Sequence, residues 1–401
     1  MGGHKEIHTR IQGIKRLFVL PAVVLVQSCL GGLYAWSAFA TVLQKDFGYT
    51  AGQTQLIFGL SIAAFTLSMV FAGRLLLPWG PRRVALVGGL LFASGYLVSS
   101  VSEGQFLWIL IGSGLLVGVS IGFGYVAALT TGIQWFPTHK GLVTGAAVAG
   151  FGAGAIILSS LTEKLLHSGV TVLDLFRFVG LGYGAVVCLG AILLFRPPPV
   201  TVLHEHVSMK DVLKDRVFLK LVTGIFCGTF AGLLVIGNLK SIAIDAGASS
   251  ETATAAISFF AVGNASGRLA WGWLFDRFGY PVIPASLLFL SATLVLLLVA
   301  RSEPVSVSLC ALCIGFGFGA CFVLYAAQVA LRYGAEHVAS IYPLVFLAHG
   351  VAGITGPPLG GFLCDYTGSY VWALVAGIAV LMFGAWDSFR ISDQPELVDR
   401  R

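Results

Sequence analysis

The sequence predicts an all-α membrane protein of twelve transmembrane helices arranged as two pseudo-symmetric six-helix bundles. Three observations predict it: an apolar, charge-poor composition, twelve apolar runs of membrane length, and an internal repeat of about 200 residues. Hydrophobic residues make up 57% of the 401 and charged residues only 10%. Soluble domains carry about 25% charged residues, so a chain this poor in charge has lipid as the solvent for much of its surface.

The runs span 17–43, 53–76, 84–101, 106–134, 141–162, 176–195, 217–243, 252–274, 281–300, 304–330, 340–363 and 370–389. Each reaches the roughly 20 residues needed to cross the hydrocarbon layer, or nearly so. Short linkers holding Pro, Gly or charge separate them. The longest polar stretch follows the sixth run, and it sets the expected domains: an N-terminal bundle 1–196, a central loop 197–216 and a C-terminal bundle 217–401. The first run is too long for a signal h-region and lacks a small-residue cleavage site, so no cleaved leader is expected.

The net charge of +6 does not indicate nucleic acid, because the cations are sorted by loop. Eighteen Lys and Arg fall on the side shared by both termini and five on the other. The positive-inside rule then places both termini and the central loop in the cytoplasm of a multi-pass protein of the plasma (or bacterial inner) membrane. The remaining cation, Arg268, falls inside the eighth run.

The repeat is read from Ile121-Gly-Phe-Gly-Tyr125 in span 4, which recurs as Ile314-Gly-Phe-Gly-Phe318 in span 10. The segment Gly73 to Arg83 after span 2 corresponds likewise to Gly272–Gly279 after span 8. Two six-span repeats imply a substrate site between bundles near the bilayer midplane and transport by alternating access.

Arg268 is the first candidate. It lies eight residues before Asp276, roughly 12 Å into the membrane at 1.5 Å per residue. An arginine there costs about 2.5–3.5 kcal/mol on insertion scales. No Asp or Glu falls in the middle of any predicted span. Guanidinium is permanently charged and fits a carboxylate with two parallel hydrogen bonds, so a small carboxylate substrate is the counter-ion the chemistry suggests. Asn264, one turn earlier on the same helical face, is placed to orient the guanidinium or bond the substrate. His349, within span 11 at similar depth, is a proton-coupling candidate because imidazole changes charge near neutral pH.

Other signals are discounted. Gly150-Phe-Gly-Ala-Gly-Ala155 imitates a dinucleotide loop but lies in a membrane run with no preceding strand. The seven cysteines fall in or beside apolar runs and read as packing residues; no metal site, cofactor or ATP-binding loop is expected.

The segment Gly272-Trp-Leu-Phe-Asp276-Arg277-Phe-Gly279 resembles the loop signature of the major facilitator superfamily. The resemblance implies the major facilitator fold, and a gating role for a loop carrying Asp276 and Arg277. The first copy departs from it, with Leu77 and Pro78 where Asp-Arg is expected. Narrower segments resemble the oxalate/formate antiporter family: Cys29-Leu-Gly-Gly-Leu-Tyr-Ala-Trp-Ser37, Trp135-Phe-Pro-Thr-His-Lys-Gly-Leu142, Gly145-Ala-Ala-Val-Ala-Gly-Phe-Gly152 and Gly232-Leu-Leu-Val-Ile-Gly237. Asn264-Ala-Ser-Gly-Arg268 resembles both that family and the monocarboxylate transporters. The resemblance implies a carrier of small carboxylates, not an enzyme, and maps Tyr34, Tyr125, Phe151, Phe318, Phe322 and Phe346 to cavity-facing positions. It also marks two departures: neutral Asn264 where related monocarboxylate transporters often carry an acid, and His349 where the oxalate-exchanging branch carries a lysine.

The expected function is proton-coupled transport of a short monocarboxylate such as lactate or pyruvate, by a protein functional as a monomer. Exchange of formate- or oxalate-type acids is the alternative, and a non-transporting carboxylate sensor is the alternative from another class.

Overall fold

The computed structural model describes residues 2–49, 51–196, 208–245, 247–300 and 304–389. Every described element is a helix. The α-helices run, in chain order, α1 Gly2–Leu30, α2 Trp36–Phe47, α3 Ala51–Ser100, α4 Phe106–Ile109, α5 Val117–Trp135, α6 Lys140–His167 and α7 Val172–Ile192. After them come α8 Met209–Lys214, α9 Arg216–Asp245, α10 Ser250–Phe278, α11 Val282–Ala300, α12 Pro304–Tyr333, α13 Val338–Thr367 and α14 Val371–Phe389.

Ten segments among the described residues are long and apolar enough to cross a bilayer. One of them, Leu56–Ser100, holds two expected spans. The helix α3, of 50 residues, is too long for one crossing, and its path breaks at Gly80, whose φ of 76° and ψ of 165° are not helical. Pro78 and Pro81 flank the break, and Pro81 has no N–H to continue the ladder. The eighth expected span is α10, of 29 residues, less apolar than the others because its middle carries Asn264 and Arg268. Counting both, the twelve expected spans are present.

Three local departures from plain helix matter. Span 1 tightens into a 3₁₀ turn at Gly31–Ala35, where Gly31 presses on the backbone of Phe151. Span 4 carries a π-helical stretch, Leu110–Leu116. There the Ser113 carbonyl accepts from the Ser61 hydroxyl at 2.9 Å, and the Ser113 and Ser99 hydroxyls meet at 2.7 Å. Lastly, the expected central loop is partly helical: 208–216 holds α8 and the start of α9, while 197–207 lies outside the described residues.

Two compact units emerge, Met1–His139 with Gly150–His206, and Lys140–Ala149 with Val207–Arg401. The helix α6 is thus shared, its first ten residues packing with the second unit. Within the second unit α10 and α12 lie backbone to backbone. A Cβ on Gly319 would stand 2.7 Å from the Asn264 carbonyl oxygen and 3.2 Å from Arg268 Cγ, so only glycine fits there. That close approach fixes the height and rotation of the Asn264–Arg268 turn.

Candidate substrate-binding site

The second unit gathers six of the nine sequence-predicted substrate-binding residues. Arg268 is fully buried. Its Nε donates to Asn264 Oδ1 at 3.0 Å, and its Nη1 donates to the backbone carbonyl of Val148 on α6. The guanidinium carbon stands 4.6 Å from the centroid of the Phe322 ring. Burial of a cation is tolerable only with such hydrogen bonds, and a desolvated cation over an aromatic face gains about 2 kcal/mol. Asn264 follows the helical spacing expected of i and i+4.

The aromatic wall is continuous. Phe318 meets Phe322 edge-on at 5.0 Å, and Phe322 reaches Phe346 at 6.2 Å. The His349 ring packs on both, 5.3 Å from Phe322 and 4.8 Å from Phe346. His349 is fully buried, and among the described residues neither of its ring nitrogens has a hydrogen-bond partner. Arg268 and His349 therefore share the Phe322 ring, one cation and one titratable base on a single apolar surface. Such a surface lowers the local dielectric and strengthens any interaction with a bound anion.

The first unit gathers the other three. Tyr125 and Phe151 meet edge-on at 5.4 Å, and Tyr34 reaches Phe151 at 5.8 Å. Two residues that sequence reasoning missed complete this cluster: Phe65, 5.2 Å from Tyr125, and Phe58, 6.4 Å from Tyr34. Tyr34 sits within the 3₁₀ turn, which sets the direction of its side chain.

Asp276 and Arg277 are not in a loop, contrary to the sequence-based expectation. They occupy the last turn of α10, which continues to Phe278 and ends at Gly279, φ 67°. The Gly279 N–H closes on the Phe275 carbonyl at 2.8 Å. The D-R-x-G pattern is therefore a helix terminus, in which glycine supplies the positive φ that ends the last turn. Asp276 accepts from the backbone N–H groups of Gly141 and Leu142, each at 2.8 Å. Those are two of the free amides in the first turn of α6, so Asp276 caps that helix from another element. Lys140, at the start of α6, donates to the Ala330 carbonyl in the last turn of α12 at 3.0 Å. Arg277 lies 5.8 Å from the Trp273 ring centroid.

Twelve membrane-spanning helices with a buried cation and a buried histidine on one aromatic wall define a polytopic membrane carrier. A profile for the Major Facilitator Superfamily matches residues 22–354 and again 236–397. The chain belongs to that superfamily, whose members are transporters, not enzymes. It is 24% identical over 397 residues to the oxalate:formate antiporter of Oxalobacter formigenes, covering 96% of this chain and 93% of that one. It is 26% identical over 371 residues to human monocarboxylate transporter 11, covering 86% of this chain and 76% of the relative. Among solved structures it superposes on the transporter FucP in its outward conformation with a TM-score of 0.74 and 17% identity, over 94% of this chain and 100% of that one.

Proposed function

We propose that this transporter carries small monocarboxylates of the lactate or pyruvate type together with a proton, by alternating access of its two six-span halves. The observation that carries the reading is Arg268: a permanently charged, two-pronged donor, fully buried in α10, oriented by Asn264 and backed by Phe322. The similarity to the oxalate:formate antiporter and to a monocarboxylate transporter supports carboxylate cargo. In the proposed cycle Arg268 captures the anion, His349 takes the compensating proton, and closure follows when the site is neutral. Loaded carrier then favours the closed state by differential stabilisation. Tyr34, Tyr125 and Phe151 contribute apolar lining and tyrosine hydroxyls, and Asp276 with Lys140 holds the end of α6. The protein works as a monomer with both termini cytoplasmic.

A second reading is exchange of formate- or oxalate-type acids, favoured by the nearly full-length match to the antiporter. Proteoliposomes distinguish the two. Symport follows an imposed pH gradient into empty vesicles, whereas exchange requires internal acid. Arg268→Ala should abolish lactate, pyruvate, formate and oxalate uptake while the protein still inserts. Losing a charge-assisted bidentate contact of about 3 kcal/mol corresponds to about a 100-fold loss of affinity. Uptake retained by that variant overturns the proposal.

A further inference from the structure

The first unit carries a second concentration of charge, away from the aromatic cluster around Phe151. It lies where spans 1, 2, 4 and 6 end on the same side. The Nζ of Lys15 stands 5.5 Å from the centroid of the Phe195 ring, and the Arg82 guanidinium stands 4.6 Å from the same centroid. Two cations from different helices thus converge on one ring, no farther apart than the sum of those distances, about one Debye length at 0.1 M salt. Next to Phe195, Arg196 donates from Nη2 to the Leu77 carbonyl at 2.7 Å, which brings a third cation to the break in α3. A fourth, Arg16, lies 4.6 Å from the Phe136 ring centroid. The floor is tied together, because Trp135 Nε1 donates to the Phe195 carbonyl at 2.9 Å.

Among the described residues no acidic side chain forms an ion pair with Lys15, Arg16, Arg82 or Arg196. From Gly73 to Arg83 the connecting segment contains no Asp or Glu, whereas its counterpart carries Asp276 and spends it on the α6 terminus. Gathering like charges costs free energy unless an anion compensates. The surroundings indicate what kind of anion. Close to these cations along the chain, Leu17, Phe18, Leu77 and Trp79 are exposed, at 74%, 52%, 75% and 45%. A rim of Arg and Lys bordered by exposed apolar side chains suits a ligand with a phosphate head and hydrocarbon tails better than a soluble ion.

We propose that Lys15, Arg16, Arg82 and Arg196 form a binding site for the headgroup of an anionic phospholipid of the cytoplasmic leaflet. The guanidinium groups of Arg82 and Arg196 offer paired donors to the phosphodiester. Lys15 and Arg16 add charge, and the acyl chains run along Leu77 and Phe18. Basic pockets between membrane helices on the cytoplasmic side are suited to such headgroups.

Native mass spectrometry of the full-length protein, delipidated in neutral detergent and offered phosphatidylglycerol, phosphatidylcholine or free glycerol phosphate, tests this. Phosphatidylglycerol should be retained in preference to phosphatidylcholine, and glycerol phosphate should not displace it. The preference should fall about fivefold for each cation removed along the series R82Q, R82Q/R196Q, K15Q/R82Q/R196Q. Arg82→Lys, which keeps the charge, should retain most of it. If the triple variant does not purify as a folded protein, R82Q alone decides by the same fivefold criterion. Equal retention of the two lipids, a preference untouched by R82Q, or displacement by glycerol phosphate as effective as by lipid would each overturn the assignment.

Discussion

Arg268 and Asn264 stand one helical turn apart on α10 and are joined side chain to side chain, Nε to Oδ1 at 3.0 Å. The amide oxygen accepts on the Nε edge and the Val148 carbonyl accepts from Nη1, and together they fix the plane of the guanidinium. Asn264 adds no negative charge that would compete with the proposed anionic substrate. Asn264→Leu removes the orienting acceptor and keeps the bulk. A hydrogen bond to a charged group contributes about 1.5–3 kcal/mol, so the KM for labelled pyruvate in proteoliposomes should rise at least about tenfold. Asn264→Asp should weaken binding further at neutral pH, by offering Arg268 a resident carboxylate, and should recover as the pH is lowered. A KM unchanged in both variants would show that the pair is packing alone.

The Asp276 contact with α6 makes a separate prediction. Its carboxylate accepts from two consecutive amides, Gly141 and Leu142. A charge at a helix N-terminus contributes roughly 0.3–1 kcal/mol, and up to about 2 kcal/mol in favourable geometry. Asp276→Ala should therefore speed hydrogen exchange of those amides by up to about 30-fold, while amides near Gly154 on the same helix stay as protected as before. Peptide-resolved exchange on the purified protein reads both. Uniform acceleration along α6 would instead mean that the variant destabilises the whole helix.

Asp215 gives a prediction in pH. It sits just before α9, where Oδ1 accepts from the Val217 N–H at 3.1 Å. Oδ2 accepts from Arg332 Nε at 2.9 Å and from the Tyr333 hydroxyl at 2.5 Å. Burial alone would raise its pKa. The hydrogen bonds from Arg332, Tyr333 and the Val217 amide, with the charge of Arg332, outweigh that and leave it below the ordinary 3.8. A lowered carboxyl contributes stability that is fully present above its ordinary value and is lost as pH falls through the folded value. Between pH 5 and 8 the contribution is constant. Asp215→Asn should lower the unfolding midpoint by the same amount throughout that window, with the gap closing only below pH 3.8. A gap that changes between pH 5 and 8 would assign the titration to another group.

What the sequence could and could not disclose follows from the kind of contact involved. Apolar runs of membrane length announce themselves, and so does an arginine among them, because its cost in lipid demands a use. The Asn264–Arg268 pair was legible because helical spacing places i and i+4 on one face. The Val148 carbonyl was not, since a backbone acceptor leaves no mark on residue type. Phe58 and Phe65 were hidden for a related reason: a phenylalanine facing another ring and one facing lipid look alike in a string of letters. At Gly80 two prolines and a positive φ compress the connection between spans 2 and 3 into a sharp break between two helices, with no separate loop. The π stretch at Leu110–Leu116 is bonded at Ser113 by the Ser61 and Ser99 hydroxyls of α3, partners distant in sequence. Asp276 was placed in a loop by the resemblance to the superfamily's loop signature, whereas the helix runs on to Phe278 and the turn begins at Gly279.

Substitutions at His349 separate the proposed proton coupling from plain exchange. Its ring is fully buried against Phe322 and Phe346, and Phe322 also carries the Arg268 guanidinium on its face. Arg268 is the charged group this histidine meets through that shared ring. If the imidazole carries the compensating proton, His349→Gln should abolish uptake driven by a pH gradient and leave exchange between pre-loaded vesicles largely intact, because exchange never requires an empty, deprotonated return. His349→Lys should act in the opposite sense. A second fixed cation beside Arg268 suits two carboxylates better than one, so the ratio of oxalate to lactate uptake should rise, by about tenfold if one further charge-assisted contact is gained. Gradient-driven lactate uptake surviving in His349→Gln would place the proton elsewhere, and an unchanged ratio in His349→Lys would mean that residue 349 does not reach the cargo.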